Sequence, residues 1–253
     1  MHDLKTISAD ELEGIRKKLG ENEDENHFLL SYLDRLRIKY DYELFEFKGT
    51  YILNIRGLII SLSYSPSPDK QLRNVLEQMK SRMVIVPGES SITLLKEISS
   101  SEMKIENLMA LKRESFSHVE GNNILSTRKE YAALFDFYQS VDEYRNYYTY
   151  KDMMSKFKER DSKHFSSAVK ADEKIVSALI MNSGLIASVG TLKEYRNKGY
   201  ASRNIKAAIS YYFQMNKAEK TVYLFYNDSR ISQAYRKIGF YDICPFLILK
   251  RNI

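Results

Sequence analysis

The sequence predicts an α/β protein built on a mixed α+β sheet, in two topologically similar halves, and three observations carry that prediction. Apolar runs read as β-β-β-α-β-α twice along the chain, with one further strand at the end. Turn signals of hairpin length separate the first strands of each half. The composition, 43% apolar and 28% charged with 10 Gly and 4 Pro in 253 residues, is that of a globular chain. It excludes collagen-like, low-complexity and disordered classes.

The elements follow in order. The first ~40 residues read as helical: Leu12, Ile15 and Leu19 lie at helical spacing, and after an acidic loop, Glu21 to Glu25, a second face carries Phe28, Leu29, Tyr32, Leu33 and Leu36. Residues 42–47, 50–55 and 58–65 are β-type runs joined by Lys48-Gly49 and Arg56-Gly57, the pattern of an antiparallel meander. Pro66-Ser67-Pro68 breaks the chain, and Asp69 stands as N-cap of a helix with Leu72, Val75, Leu76 and Met79 on one face. A buried strand, 83–87, and a helix from Ser90 or Ser91 to Ile98 complete the first half. Ser99-Ser100-Ser101 reads as a linker, so the expected domains are 1–105 and 106–253.

In the second half, residues 106–116 read as a strand and Thr127–Val141 and Tyr150–Arg160 as helices. Three strands (164–171, 175–181 and 185–192) follow, with turns at Asp172-Glu173-Lys174 and Asn182-Ser183-Gly184. A loop leads into a helix with Ala201, Ile205, Ala208, Ile209 and Tyr212 on one face; strand 221–226, helix Ser229–Ile238 and strand 245–250 end the chain.

Composition narrows the function classes. Cys244 is the sole cysteine and the four histidines are scattered, so no zinc-like spacing exists and no metal is expected; a reducing cytoplasm suits the chain. The longest apolar stretch, Leu58 to Tyr64, is broken by serines, and the N-terminus is acidic, so no membrane span or signal peptide is expected. Residues 1–110 carry 15 basic and 18 acidic side chains, whereas 111–253 carry 24 and 15, net +9. That field suits an anion, either nucleic acid or a phosphorylated cofactor, but no nucleic-acid motif is present and dispersed charge alone binds weakly; nucleic acid is therefore not an expected partner.

The chemistry concentrates in Val189-Gly190-Thr191 and the loop Arg196-Asn197-Lys198-Gly199-Tyr200-Ala201, between a strand and a helix. A helix N-terminus presents unpaired amides and the positive end of a dipole. Gly199 permits close backbone approach, Ala201 keeps the first turn slim, and Arg196 and Lys198 add charge, which outlines a diphosphate cradle or, more blandly, a plain β-to-α turn. Neither the Walker loop nor the dinucleotide G-x-G-x-x-G fingerprint occurs. At the next strand-to-helix junction stand Asn227, Ala234-Tyr235 and Gly239-Phe240.

Together these stretches resemble a known family. Arg196-x-x-Gly199-x-Ala201 resembles the Q/R-x-x-G-x-G/A acetyl-CoA signature of the GNAT acetyltransferase superfamily, and Asn227 with Ala234-Tyr235-x-x-x-Gly239-Phe240 resembles its second hallmark. The likeness covers about residues 164–253, with the helices from Thr127 completing the domain. It implies the GNAT acyl-CoA N-acyltransferase fold and an N-acetyltransferase moving an acetyl group from acetyl-CoA to a primary amine by direct attack. It further implies that strand groups at Val189 and Thr191 bind the pantetheine arm, that the amides from Arg196 through Asn197, Lys198, Gly199 and Tyr200 to Ala201 hold the pyrophosphate, that Asn227 contacts the cofactor, and that Tyr235 is the general acid.

Each residue also has a simpler role: Asn227 can cap the following helix, and Tyr235 can pack with Ile231 and Ile238. Tyr144, Tyr147, Tyr148 and Tyr150 fall where the family often forms its acceptor pocket, or form an aromatic core. No general base is visible among Glu194, Asp228 and Asp242. The loop of the first half, from Pro66 to Gln71, departs from the signature, which implies a degenerate GNAT-like half that binds no CoA. The alternative function is a non-catalytic acyl-CoA-binding module.

Overall fold

A computed structural model describes residues 4–27, 29–30, 33, 42–55, 59–79, 81–95, 98, 102–121 and 123–251. Phe28, Tyr32 and Leu36, the Arg56-Gly57 turn and the Ser99–Ser101 linker lie outside the described residues. The chain divides into two units, Met1–Leu108 with Asp242–Ile253, and Met109–Tyr241.

In the first unit, alternation of apolar residues with turn pairs produces the meander. Strands β2 (Glu43–Phe47), β3 (Thr50–Ile55) and β4 (Ile59–Leu62) pair antiparallel in sequence order. Lys48 and Gly49 both take positive φ, 47° and 82°, as a two-residue hairpin turn that follows the twist of its strands requires. The chain before Leu12 is not all helical: β1 (Leu4–Thr6) pairs antiparallel with β2, ahead of helix α1 (Leu12–Gly20). Helix α2 (Leu72–Gln78) makes the crossover that lets β5 (Met83–Pro87) run parallel to β4, and α3 (Glu89–Leu95) follows. Asp69 does not cap α2 directly; its carboxylate accepts from the Gln71 amide at 2.7 Å and pairs with Lys48, which holds it below its ordinary pKa.

Period-two alternation sorts this sheet's side chains. Ile52, Ile60, Leu62, Val84 and Val86 pack with α2 and α3, whereas Leu44, Tyr51, Leu53 and Ile55 pack with Leu12, Ile15 and Leu19 of α1. The chain's last strand, β11 (Tyr241–Lys250), lies next to β5: Phe246 to Lys250 pairs antiparallel with Pro87 to Met83, and Leu247 and Leu249 are fully buried in the α2/α3 cluster. This strand, which the sequence reading sets within 106–253, groups with the first unit, where its apolar residues pack with α2 and α3.

The second unit has the strand order β6-β10-β9-β8-β7. Strand β6 (Glu102–Lys112) begins earlier than the sequence suggests and enters this unit at Met109. Helices α4 (Arg128–Ser140) and α5 (Tyr150–Lys158) each start with a capping box, Thr127/Glu130 and Thr149/Asp152. Strands β7 (His164–Ala171), β8 (Lys174–Asn182) and β9 (Leu185–Thr191) form the second meander, followed by α6 (Tyr200–Met215), β10 (Thr221–Tyr226) and α7 (Ser229–Arg236). One face of the sheet is covered by α4 and α5, with Tyr131, Leu134, Tyr138 and Met153 inside, and the other by α6 and α7, with Ile205, Ile209, Tyr212 and Tyr235.

Membership of β11 in the first unit has a measurable consequence. Leu247→Ala removes a fully buried side chain and is expected to cost about 3 kcal/mol, with faster hydrogen exchange at Met83–Pro87 and unchanged exchange in β10. Faster exchange in β10 instead would place β11 with the second unit.

Candidate functional site

In the second unit, two parallel strands part company. β10 pairs with β9 at Tyr223↔Leu185 and Leu224↔Ile186, after which β9 continues to Thr191 and β10 to Tyr226 without further paired rows among the described residues. A bulge in β9 accompanies the separation. Ile180 faces Ala187 and Ala178 faces Gly190, so Ser188 and Val189 together oppose Leu179 of β8, and Ser188 adopts φ 52°. One edge of β9 is thereby left with polar backbone that an extended ligand can pair with.

Tyrosine hydroxyls from the α4 side grip this bulge. Tyr138 donates to the Ser188 carbonyl at 2.7 Å, Tyr144 to the Val189 carbonyl at 3.2 Å, and the Tyr148 hydroxyl is hydrogen-bonded to the Ser188 hydroxyl. Glycine at position 190 makes the approach possible, since a Cβ there would lie 3.3 Å from Phe137 and 3.5 Å from Tyr144. Burial raises the pKa of all three phenols, that of Tyr148 to about 12, so they remain neutral donors. Of the four tyrosines expected at an acceptor pocket, Tyr144 and Tyr148 are thus spent on bracing the strand, whereas Tyr147 is 69% exposed and Tyr150 stacks edge-on against Phe135.

The loop after β9 turns into α6 at Gly199, whose φ of 80° and ψ of 0° favour glycine. Gly199 sits at the N-cap without a side-chain acceptor, and a Cβ on it would meet nothing within 4 Å. The start of the helix therefore has no side-chain cap, and the space beside the Gly199 Cα is open. Asn197 is also left-handed (φ 62°), and residues 196–199 are exposed, with Tyr200 and Ala201 half-buried. The Arg196 guanidinium is turned away from the cradle: Nε donates to the Thr191 carbonyl at 3.0 Å and Nη2 to Glu143 at 2.8 Å. Lys198 rests 5.5 Å from the centre of the Tyr195 ring. Thr191 is engaged twice, its carbonyl with Arg196 and its hydroxyl donating to Ser177 at 3.1 Å.

Buried Asn204 fastens α6 beneath this loop. Its Oδ1 accepts from the Ser167 hydroxyl at 2.6 Å and its Nδ2 donates to the Ser167 carbonyl at 3.1 Å, while Ser177 donates to the Gly190 carbonyl at 2.9 Å. At the far end of the helix, Arg113 donates to the carbonyls of Phe213, Asn216 and Glu219, satisfying groups that α6 leaves unpaired.

Tyr235 lies on α7 in the cluster with Leu111, Leu224, Ile238 and Phe240, and Val189 and Tyr226 pack against that cluster. It is 8% exposed, and burial pushes its phenol up to about 12. It shares that cluster with Ile238, whereas Ile231 is 45% exposed. Tyr144 is close enough for the Tyr235 charge to raise its pKa further. Asn227 is exposed and does not cap α7; Asp228 does, accepting from the Arg230 amide at 2.8 Å. Glu194 pairs with Lys174 and Asp228 with Arg230.

Sequence reasoning missed Tyr138, Ser188, Asn204 and Glu143. Tyr138 reads as a member of the apolar stripe of α4, and a polar residue inside the α6 stripe at Asn204 was the one local signal of a buried network. Among the described residues, no group of three His, Cys, Asp or Glu is placed to hold a metal, and no helix is long and apolar enough to cross a membrane.

A model of the Acetyltransferase (GNAT) family matches residues 127–240. A search of curated proteins finds no match. Among solved structures, a GCN5-related N-acetyltransferase from Kribbella flavida is 14% identical with a TM-score of 0.64, over 90% of this chain and 96% of that one. One from Sphaerobacter thermophilus is 14% identical with a TM-score of 0.63, over 97% and 93%. A tandem GNAT protein from the clavulanic acid biosynthesis pathway is 9% identical with a TM-score of 0.52, over 99% and 98%. At these identities the likeness is one of fold.

Loss of the Asn204 amide tests how α6 is held. Asn204→Ala leaves the buried Ser167 hydroxyl without its acceptor and removes the side-chain bond to the Ser167 carbonyl; it is expected to lower unfolding free energy by about 2 kcal/mol in urea titration, and a loss below about 0.5 kcal/mol would mean that packing alone holds the helix.

Proposed function

Since residues 127–240 form a domain of the acetyltransferase (GNAT) family, we propose that the protein transfers an acetyl group from acetyl-CoA to a primary amine. The observation that carries this reading is the opening between β9 and β10, bulged at Ser188 and Val189 and ending at the uncapped N-terminus of α6. A pantetheine arm has the amide spacing to pair with a free strand edge, and a pyrophosphate suits a row of helix-start amides beside open space at Gly199. In this reading the backbone from Arg196 through Asn197, Lys198, Gly199 and Tyr200 to Ala201 holds the pyrophosphate, and Val189 pairs with the arm. Thr191 and the Arg196 side chain contribute less than the motif implies, because they already bond to each other and to Glu143. Asn227, exposed at the end of β10, borders the same opening.

The amine nitrogen attacks the thioester carbonyl carbon, the Val189 amide receives the charge that develops on oxygen, and the carbon–sulfur bond breaks as Tyr235 gives its proton to the departing thiolate. The surplus amine proton leaves to solvent, and a proton from solvent restores the Tyr235 phenol for the next turnover. A phenol raised to about 12 by burial is fully protonated at neutral pH, and burial keeps water from competing for the thiolate. In the first unit, Pro66 to Gln71 replaces the cradle sequence, so one co-substrate site per chain is expected.

Calorimetric titration with acetyl-CoA tests the site: about one site per chain, with affinity at least tenfold weaker in Gly199→Glu, which puts a charge into the cradle. No binding to the wild type would overturn the reading, and two sites would overturn the degenerate first half.

Kinetics against a panel of primary amines test the acid. Tyr235→Phe is expected to keep acetyl-CoA affinity and lower kcat by about 10²-fold or more. An acid must hold its proton to work, so a pKa of about 12 predicts no alkaline fall in rate attributable to Tyr235 up to about pH 10; a fall centred near pH 8 to 9 that disappears in Tyr235→Phe would contradict the buried environment.

A further inference from the structure

We infer that Tyr138 is a positioning residue for acetyl transfer: its hydroxyl holds the peptide unit between Ser188 and Val189 so that the Val189 amide points toward the side on which Tyr235 lies. This rests on the proposed acetyl-CoA reading and assigns to it a residue outside both sequence motifs.

Parity along the β8–β9 ladder fixes which way each paired peptide unit of β9 faces. The Leu192 amide donates to the Val176 carbonyl at 3.0 Å, and two rows along Ala178 faces Gly190, so the Gly190 amide is also directed at β8. A trans peptide carries its N–H and C=O in opposite directions. The Val189 carbonyl, in the same peptide unit as the Gly190 amide, therefore faces away from β8, where the Tyr144 hydroxyl meets it at 3.2 Å. The preceding unit, Ser188 carbonyl with Val189 amide, is the extra one that the bulge inserts, and the ladder to β8 does not direct it. Something else must orient it.

Tyr138 does so from the α4 face. Its hydroxyl bonds the Ser188 carbonyl at 2.7 Å, its ring is fully buried, and it is packed edge-on by Phe137 and Tyr144 and at a tilt by Tyr148. With the carbonyl fixed toward α4, the Val189 amide points to the opposite face, the one whose cluster contains Tyr235 and against which Val189 packs. A donor held before the reaction costs no reorganisation when charge appears on the substrate oxygen, and such donors are worth most when their direction is fixed. The positive φ of Ser188 is the strain that the Tyr138 bond offsets.

The test uses full-length protein labelled with ¹⁵N-valine, the Val189 resonance being assigned by its loss in Val189→Ile. In the wild type, acetyl-CoA should move the Val189 amide proton downfield by more than CoA does, because only the thioester brings a carbonyl. Tyr138→Phe, which keeps the ring, should abolish that difference, lower kcat on the amine panel by about 10- to 100-fold, and leave acetyl-CoA affinity within about twofold. Tyr131→Phe, a buried phenol of the same helix with no bond to β9 among the described residues, should change none of these. Should Tyr138→Phe fail to fold by circular dichroism, the wild-type response decides: equal Val189 amide shifts with acetyl-CoA and CoA would overturn the role of the amide and that of Tyr138 with it. Wild-type protein that binds no acetyl-CoA would overturn the acetyl-CoA reading and this inference with it; binding with an intact amide response and rate in the variant would overturn the role of Tyr138 alone.

Discussion

The site depends on one inserted peptide unit. A regular β9 would pair with β8 on one edge and stay in register with β10 on the other, leaving no opening and no unclaimed backbone. The extra residue at Ser188–Val189 breaks that register, and β10 pairs with β9 only up to Ile186. Such an insertion leaves polar groups without a ladder, which is costly in a half-buried setting unless other groups satisfy them. The phenols of Tyr138, Tyr144 and Tyr148 supply the bonds on one face, so the aromatic cluster is the structural price of the bulge.

The same economy governs α6. A helix start that presents open amides to a ligand cannot also use a side-chain cap, and Gly199 brings the chain there in a left-handed turn without one. The stability forgone at that end is recovered elsewhere: Asn204 bonds the helix to β7 from within the core, and Arg113 closes its C-terminal carbonyls. These anchors flank an end kept open, which is the arrangement expected where function requires unsatisfied backbone.

In the first unit, residues from the opposite end of the chain enter the sheet beside β5. β5 leaves an apolar edge between α2 and α3 that Leu247 and Leu249 fill. No local pattern in 245–250 distinguishes this edge from any other, because a short apolar strand carries its period but not the identity of its neighbour. The existence of the strand is therefore legible in the sequence, whereas its neighbour is set only by packing.

By itself the sequence determined the element order, the hairpin turns and the two motifs. Each is a local matter: periodicity sets strand and helix, paired positive φ sets Lys48-Gly49, and a glycine before a helix sets the turn at Gly199. It also placed Tyr235 on the helix after β10. Tertiary structure alone decided where the motif side chains went. It turned the Arg196 guanidinium toward Glu143, which is distant in sequence, made Asp228 rather than Asn227 the cap of α7, and used Tyr144 and Tyr148 as braces. It decided too that Tyr138, indistinguishable in sequence from any core aromatic, meets the one carbonyl that the ladder to β8 does not orient. A hydrogen bond between residues fifty positions apart leaves no periodic trace along the chain, because its geometry exists only once helix and sheet have packed.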